Sequence, residues 1–71
     1  MTLMTFSKGD QFAKIYSEIV QFEEYEKEFS FCVAGKPCTN ISRDSVAGIV
    51  LLADNGDVLF RYEEEDEEEY Y

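Results

Sequence analysis

The sequence predicts an α+β fold: one N-terminal amphipathic helix packed on a three- or four-stranded antiparallel sheet, followed by an acidic C-terminal tail. Three observations predict it. Apolar residues between Phe12 and Phe22 recur at spacings of three and four, the period of a helix face. Two apolar runs flank Asn55-Gly56, the best short-range marker of a β-hairpin. The run from Glu63 to Glu69 holds seven consecutive acids, which repel one another and cannot join a core.

A chain of 71 residues is a single domain. We place that domain at residues 1–62 and the acidic tail at residues 63–71. Apolar residues make up 45% and aromatic residues 15% of the chain, too many for a disordered polymer. Such a small domain buries only about 60% of its unfolded surface, so its stability is expected to be marginal.

The helix is expected from about Lys8 to Phe29. Ser7 and Asp10 form a capping-box-like start, with Asp in the place of Glu. Phe12, Ile15, Tyr16, Ile19, Val20 and Phe22 then fall in one apolar stripe. Glu18, Glu24 and Glu28 lie off that stripe, while Glu23 and Glu26 sit nearer its edge. From Phe29 to Val33 the chain alternates with period two and reads as a strand. Gly35-Lys36-Pro37 closes it with a turn. Pro37 confines the next stretch to an edge or irregular position, so Cys38 to Val46 reads as a loop or a short edge strand.

The hairpin is expected from Gly48 to Glu63, with Asn55 and Gly56 as a two-residue loop in which both take positive φ. That loop pairs Ala53 with Val58, Leu51 with Phe60 and Ile49 with Tyr62 on one apolar face. Leu52 with Leu59, and Val50 with Arg61, occupy the other. Residues 2–6 are a candidate N-terminal edge strand.

Several kinds of chemistry lack their residues. The chain has no histidine, which removes the commonest general base and metal ligand. Cys32 and Cys38 alone do not supply a four-ligand zinc site. They read as reduced thiols, with a disulfide as the minority reading. No phosphate-binding glycine loop or EF-hand pattern occurs. The expectation is a protein that is not an enzyme and needs no metal or cofactor. Residues 1–6 lack the basic and long apolar regions of a signal peptide, and no stretch reaches the roughly 20 apolar residues of a membrane span. A net charge of −10 also opposes contact with anionic membranes. A cytoplasmic location is expected, as a monomer or homodimer.

Charge therefore carries the functional reading. An extended chain advances about 3.3 Å per residue, close to the ~3.4 Å between phosphates on one DNA strand. Glu63, Glu64, Glu65, Asp66, Glu67, Glu68 and Glu69 thus match the linear charge density of DNA. Tyr70 and Tyr71 add two aromatic anchors. Glu18, Glu23, Glu24, Glu26 and Glu28 would form a second acidic patch on the helix. Acidic runs also serve merely as solubilising tails.

In size, acidity and lack of catalytic residues, the chain resembles the small acidic inhibitors that phages encode against host defences, the DNA-mimic anti-CRISPR and anti-restriction proteins. The likeness rests on Glu63 to Glu69 and the helix acids, and matches no family motif. It implies direct occlusion of a basic nucleic-acid-binding surface on a CRISPR effector complex or nuclease, without direct nucleic-acid binding. The alternative is a small protein–protein interaction module, an antitoxin or accessory subunit, that binds around Leu52 and Leu59.

Overall fold

The computed structural model describes residues 1–9 and 12–64. Among these residues seven strands follow in chain order: β1 (Thr2–Ser7), β2 (Lys14–Tyr16), β3 (Ile19–Glu24), β4 (Glu28–Val33), β5 (Thr39–Ser42), β6 (Val46–Leu52) and β7 (Val58–Glu63). A 3-10 turn, Arg43–Ser45, joins β5 to β6. One antiparallel sheet has the order β2-β1-β6-β7 and the other β3-β4-β5. They pack face to face as a β-sandwich.

The α+β expectation is thereby overturned. Among the described residues there is no α-helix, and the segment expected to be one supplies β2 and β3. The physical reason lies in how the chain breaks its own period. Tyr16 ends β2 in one sheet and Ile19 begins β3 in the other, with Ser17 and Glu18 as the corner. Glu18 takes φ 60°, a left-handed conformation incompatible with a continuing right-handed helix. Within β3, Ile19 pairs with Val33 and Gln21 with Cys32, so Val20 is an extra, bulged residue. The bulge turns both Ile19 and Phe22 toward the core and leaves Val20 62% exposed. A corner and a bulge together convert a two-residue period into steps of three, the spacing of a helix. The residue types favour the strand, since Ile15, Tyr16, Ile19, Val20 and Phe22 are all β-branched or aromatic. Ser7, expected as a cap, lies in β1, and Asp10 lies outside the described residues.

The core joins Leu3, Val46, Ile49 and Leu51 of one sheet to Ile19, Phe29 and Phe31 of the other. Phe29 stands at its centre, fully buried. The rings of Tyr62, Phe60 and Phe22 surround it at centroid distances of 5.2, 6.1 and 6.2 Å. Val46 reaches this core through a second bulge. Phe6 pairs with Gly48 and Ser7 with Val46, which leaves Ala47 as the extra residue.

β4 forms where alternation places it, and β5 is an edge strand. β1 is no edge: it lies between β2 and β6, paired to both. The β6–β7 hairpin pairs Ile49 with Tyr62, Val50 with Arg61 and Leu51 with Phe60. Its loop differs from the expected one. Gly56 alone takes a left-handed φ, 95°, while Asn55 does not. The Gly56 N–H donates to the Ala53 carbonyl (2.9 Å) and the Ala53 N–H to the Asp57 carbonyl (2.8 Å). This is a three-residue loop. The register consequently slips by one near the turn: Leu52 meets Val58, and Leu59 bulges out. Val58 therefore joins the outer face instead of the apolar inner one, and is 58% exposed.

Cys32 and Cys38 are joined in a disulfide, which corrects the expectation of reduced thiols. Cys32 is in β4, and Cys38 precedes β5. The turn at residues 33–36, closed by the Lys36 N–H donating to the Val33 carbonyl (3.0 Å), folds one back on the other.

Candidate interaction surface

Strand direction decides which acids meet. Glu23 and Glu24 end β3, Glu26 lies in the turn that follows, and Glu28 opens β4. Glu18 sits before the far end of β3, where Ala34 N–H donates to its carbonyl (3.0 Å). The patch expected on one helix face does not exist in that form. Neighbouring residues on a strand point to opposite faces, so Glu23 and Glu24 diverge, and Glu18 is separated from the rest by the length of a strand.

What brings the remaining acids together is Arg43, a residue to which sequence reasoning assigned no role. Its guanidinium donates to the Tyr25 carbonyl (2.7 Å), the Glu26 carbonyl (2.9 Å) and the Glu24 carboxylate (3.0 Å). It also lies over the rings of Phe29 (4.6 Å) and Tyr62 (5.1 Å). Such a planar fork combines hydrogen bonding with stacking in a way lysine does not. The hydrogen bond to Glu24 raises the Arg43 pKa. Tyr62 precedes Glu63 and Glu64. Arg43 thus fastens the acidic β3–β4 turn beside the strand from which the acidic run departs.

Further pairs consolidate this end of the sandwich. Lys8 reaches Glu64 (2.7 Å) and Arg61 reaches Glu63 (2.6 Å). The hydrogen bond to Glu64 raises the Lys8 pKa, and the charge of Asp44 adds to the effect. The Tyr25 hydroxyl donates to Glu23, which raises the tyrosine's pKa. Glu63 belongs to β7, and the Glu64 N–H donates to the Ala47 carbonyl (2.9 Å). These two acids are therefore held by the sandwich. Glu65, Asp66, Glu67, Glu68, Glu69, Tyr70 and Tyr71 lie outside the described residues.

This end gathers Glu23, Glu24, Glu26, Glu28, Asp44, Glu63 and Glu64, with Lys8, Lys27, Arg43 and Arg61 as its bases. Seven acids against four bases leave −3, and five more acids follow Glu64 directly in the sequence. Chemically, the arrangement exposes an excess of carboxylates at one end of the sandwich. Among the described residues, no cluster of three or more potential ligands is arranged to hold a metal ion. No described helix is long and apolar enough to cross a membrane. The chain matches no family model, no curated protein and no solved structure.

Proposed function

We propose that the protein is a non-enzymatic acidic inhibitor that imitates the charge of DNA. It occludes the basic nucleic-acid-binding surface of a host defence nuclease or CRISPR effector complex. One observation carries the reading: the Arg43 clasp sets the acidic β3–β4 turn beside the strand that leads into the acidic run. Two segments far apart in sequence thereby add their charge at one end. Holding like charges together opposes the compact state, and a cationic partner offsets that repulsion.

The test uses purified CRISPR effector complexes and nucleases with fluorescent duplex DNA as the probe. The full chain is expected to displace DNA from a susceptible effector, with potency falling steeply between about 50 and 200 mM salt. Deleting residues 65–71 is expected to abolish the displacement. Inhibition that is insensitive to salt and survives the deletion would overturn the reading.

The location this reading requires is the host cytoplasm, where thiols are kept reduced. The fold must then survive the opening of the Cys32–Cys38 bridge. A second reading, an antitoxin-like or accessory interaction module with a solubilising tail, draws on the exposure of Val58 (58%) and Leu59 (53%). Partner binding that persists after deletion of residues 65–71 would favour it.

A further inference from the structure

The outer face of the β2-β1-β6-β7 sheet is unusually apolar. In a two-sheet sandwich, such a face ordinarily alternates to polar side chains. Here Ile15, Met4, Val50 and Arg61 are successive cross-strand neighbours. In the flanking rows Phe6 stands opposite Gly48, and Leu52 opposite Val58. Ile15 is 63% exposed and Phe6 38%.

A groove of about 530 Å³ runs over this face, with Phe6, Val50 and Val58 as apolar walls and Arg61, Glu63 and Glu64 at its polar end. Gly48 lines it as well. A Cβ at that position would stand 3.3 Å from the Tyr62 carbonyl oxygen and 3.6 Å from the Phe6 ring. Glycine weakens a strand interior and often marks a place where another backbone approaches closely; here that backbone is Tyr62's, and the missing side chain leaves the floor of the groove open beside Phe6.

We infer that this groove receives an apolar side chain from an extended, lysine- or arginine-rich segment of the target. This deepens the acidic-inhibitor reading and rests on it. At the groove's polar end Glu63 is paired with Arg61 and Glu64 with Lys8, and five further acids, Glu65 to Glu69, follow Glu64 directly in the sequence. An apolar anchor flanked by cations matches both features at once. A second copy of this chain does not, because it would bring another −10 and the same acids to the same rim, and like charges across an interface oppose association. The anchor supplies affinity, and the charges supply attraction and orientation.

Fluorescence anisotropy on the full chain tests this with two short lysine–serine peptides of equal charge. One carries a single central leucine and the other serine at that place. The leucine peptide is expected to bind at least about tenfold tighter, the scale of one buried side chain. The double variant Val50→Thr, Val58→Thr changes no charge, keeps shape and β-propensity, and is expected to remove most of that advantage. It should leave the serine peptide's affinity unaltered. Equal affinities for the two peptides would overturn the groove while leaving the charge reading standing. An advantage that survives the double variant would place the anchor elsewhere and overturn it too. Failure of both peptides to bind would overturn the groove and the charge reading together. Self-association that disappears in the double variant would assign the face to a second copy.

Discussion

Replacing Glu18 by glycine distinguishes the β-sandwich from a helix by the sign of its effect. In the sandwich, Glu18 is the corner between the sheets and the sole described non-glycine residue with positive φ, at 60°. A left-handed backbone costs a side-chain-bearing residue about 1–2 kcal/mol. Glycine removes that strain but adds about 0.4–1 kcal/mol of unfolded-state freedom. The net expectation is neutral to about 1.5 kcal/mol stabilising. For a domain of this size, 1 kcal/mol moves the melting point by roughly 4–8 °C, so a rise of a few degrees is expected. Glu18→Asn, which tolerates the same conformation, should also rise, whereas Glu18→Ala should not. Inside a helix, glycine would instead destabilise by about 0.5–1 kcal/mol relative to alanine. Thermal melts of the three variants, followed by circular dichroism, measure the difference. Glu18→Gly melting several degrees below Glu18→Ala would refute the corner.

Other perturbations follow from the packing and the ion pairs. Phe29→Ala should cost about 3–5 kcal/mol, and a chain of 71 residues holds only about 4–11 kcal/mol; the loss takes from roughly a quarter to all of that stability, and urea titration should show the midpoint lowered accordingly. Reducing the Cys32–Cys38 bridge, whose sequence separation is 6, should remove about 2 kcal/mol by the loop-entropy model. Parallel titrations with and without reductant measure that loss, and no change would mean that the bridge is not formed. Stability should also fall above about pH 10. The folded state raises the pKa of Tyr25 above 10.0 and of Lys8 above 10.5 through their hydrogen bonds to Glu23 and Glu64. Their contribution is present below those values and is lost as pH rises through the folded ones. Both groups are exposed, so the effect is small, and Tyr25→Phe should remove the tyrosine part of it in pH-dependent melts.

Local features were legible in the sequence. The β6–β7 pairs from Ile49 to Leu51 could be read because turn residues and alternation act over short range. The β4 strand was legible for the same reason. The loop was not, because the choice between a two- and a three-residue turn rests on which residue takes positive φ, and Asn55 and Gly56 both accept it. The helix reading failed because bulges at Val20 and a corner at Glu18 imitate its spacing. The same three-residue step recurs between Val46 and Ile49, across the bulge at Ala47. Three-residue steps among β-branched and aromatic residues, rather than leucine and alanine, are the warning sign. The acids themselves were visible, but not their convergence. That depends on Arg43 spanning from the 3-10 turn to the β3–β4 turn and Tyr62, a contact without a local signal.

The placement of β1 also governs how the molecule is made. β1 pairs with β2 within a few residues, Leu3 against Tyr16, but its other edge, where Leu3 meets Leu51 and Thr2 meets Leu52, waits for a complement almost fifty residues later. The β3-β4-β5 meander closes through neighbours and can assemble early, whereas the other sheet requires distant segments to find each other. Closing such a long-range pairing is slower than forming the local hairpins, because the loop-closure entropy must be met first. On the ribosome, that edge of β1 must remain unpaired until β6 has emerged, making that interval the time when the nascent chain is most open to edge-to-edge self-association.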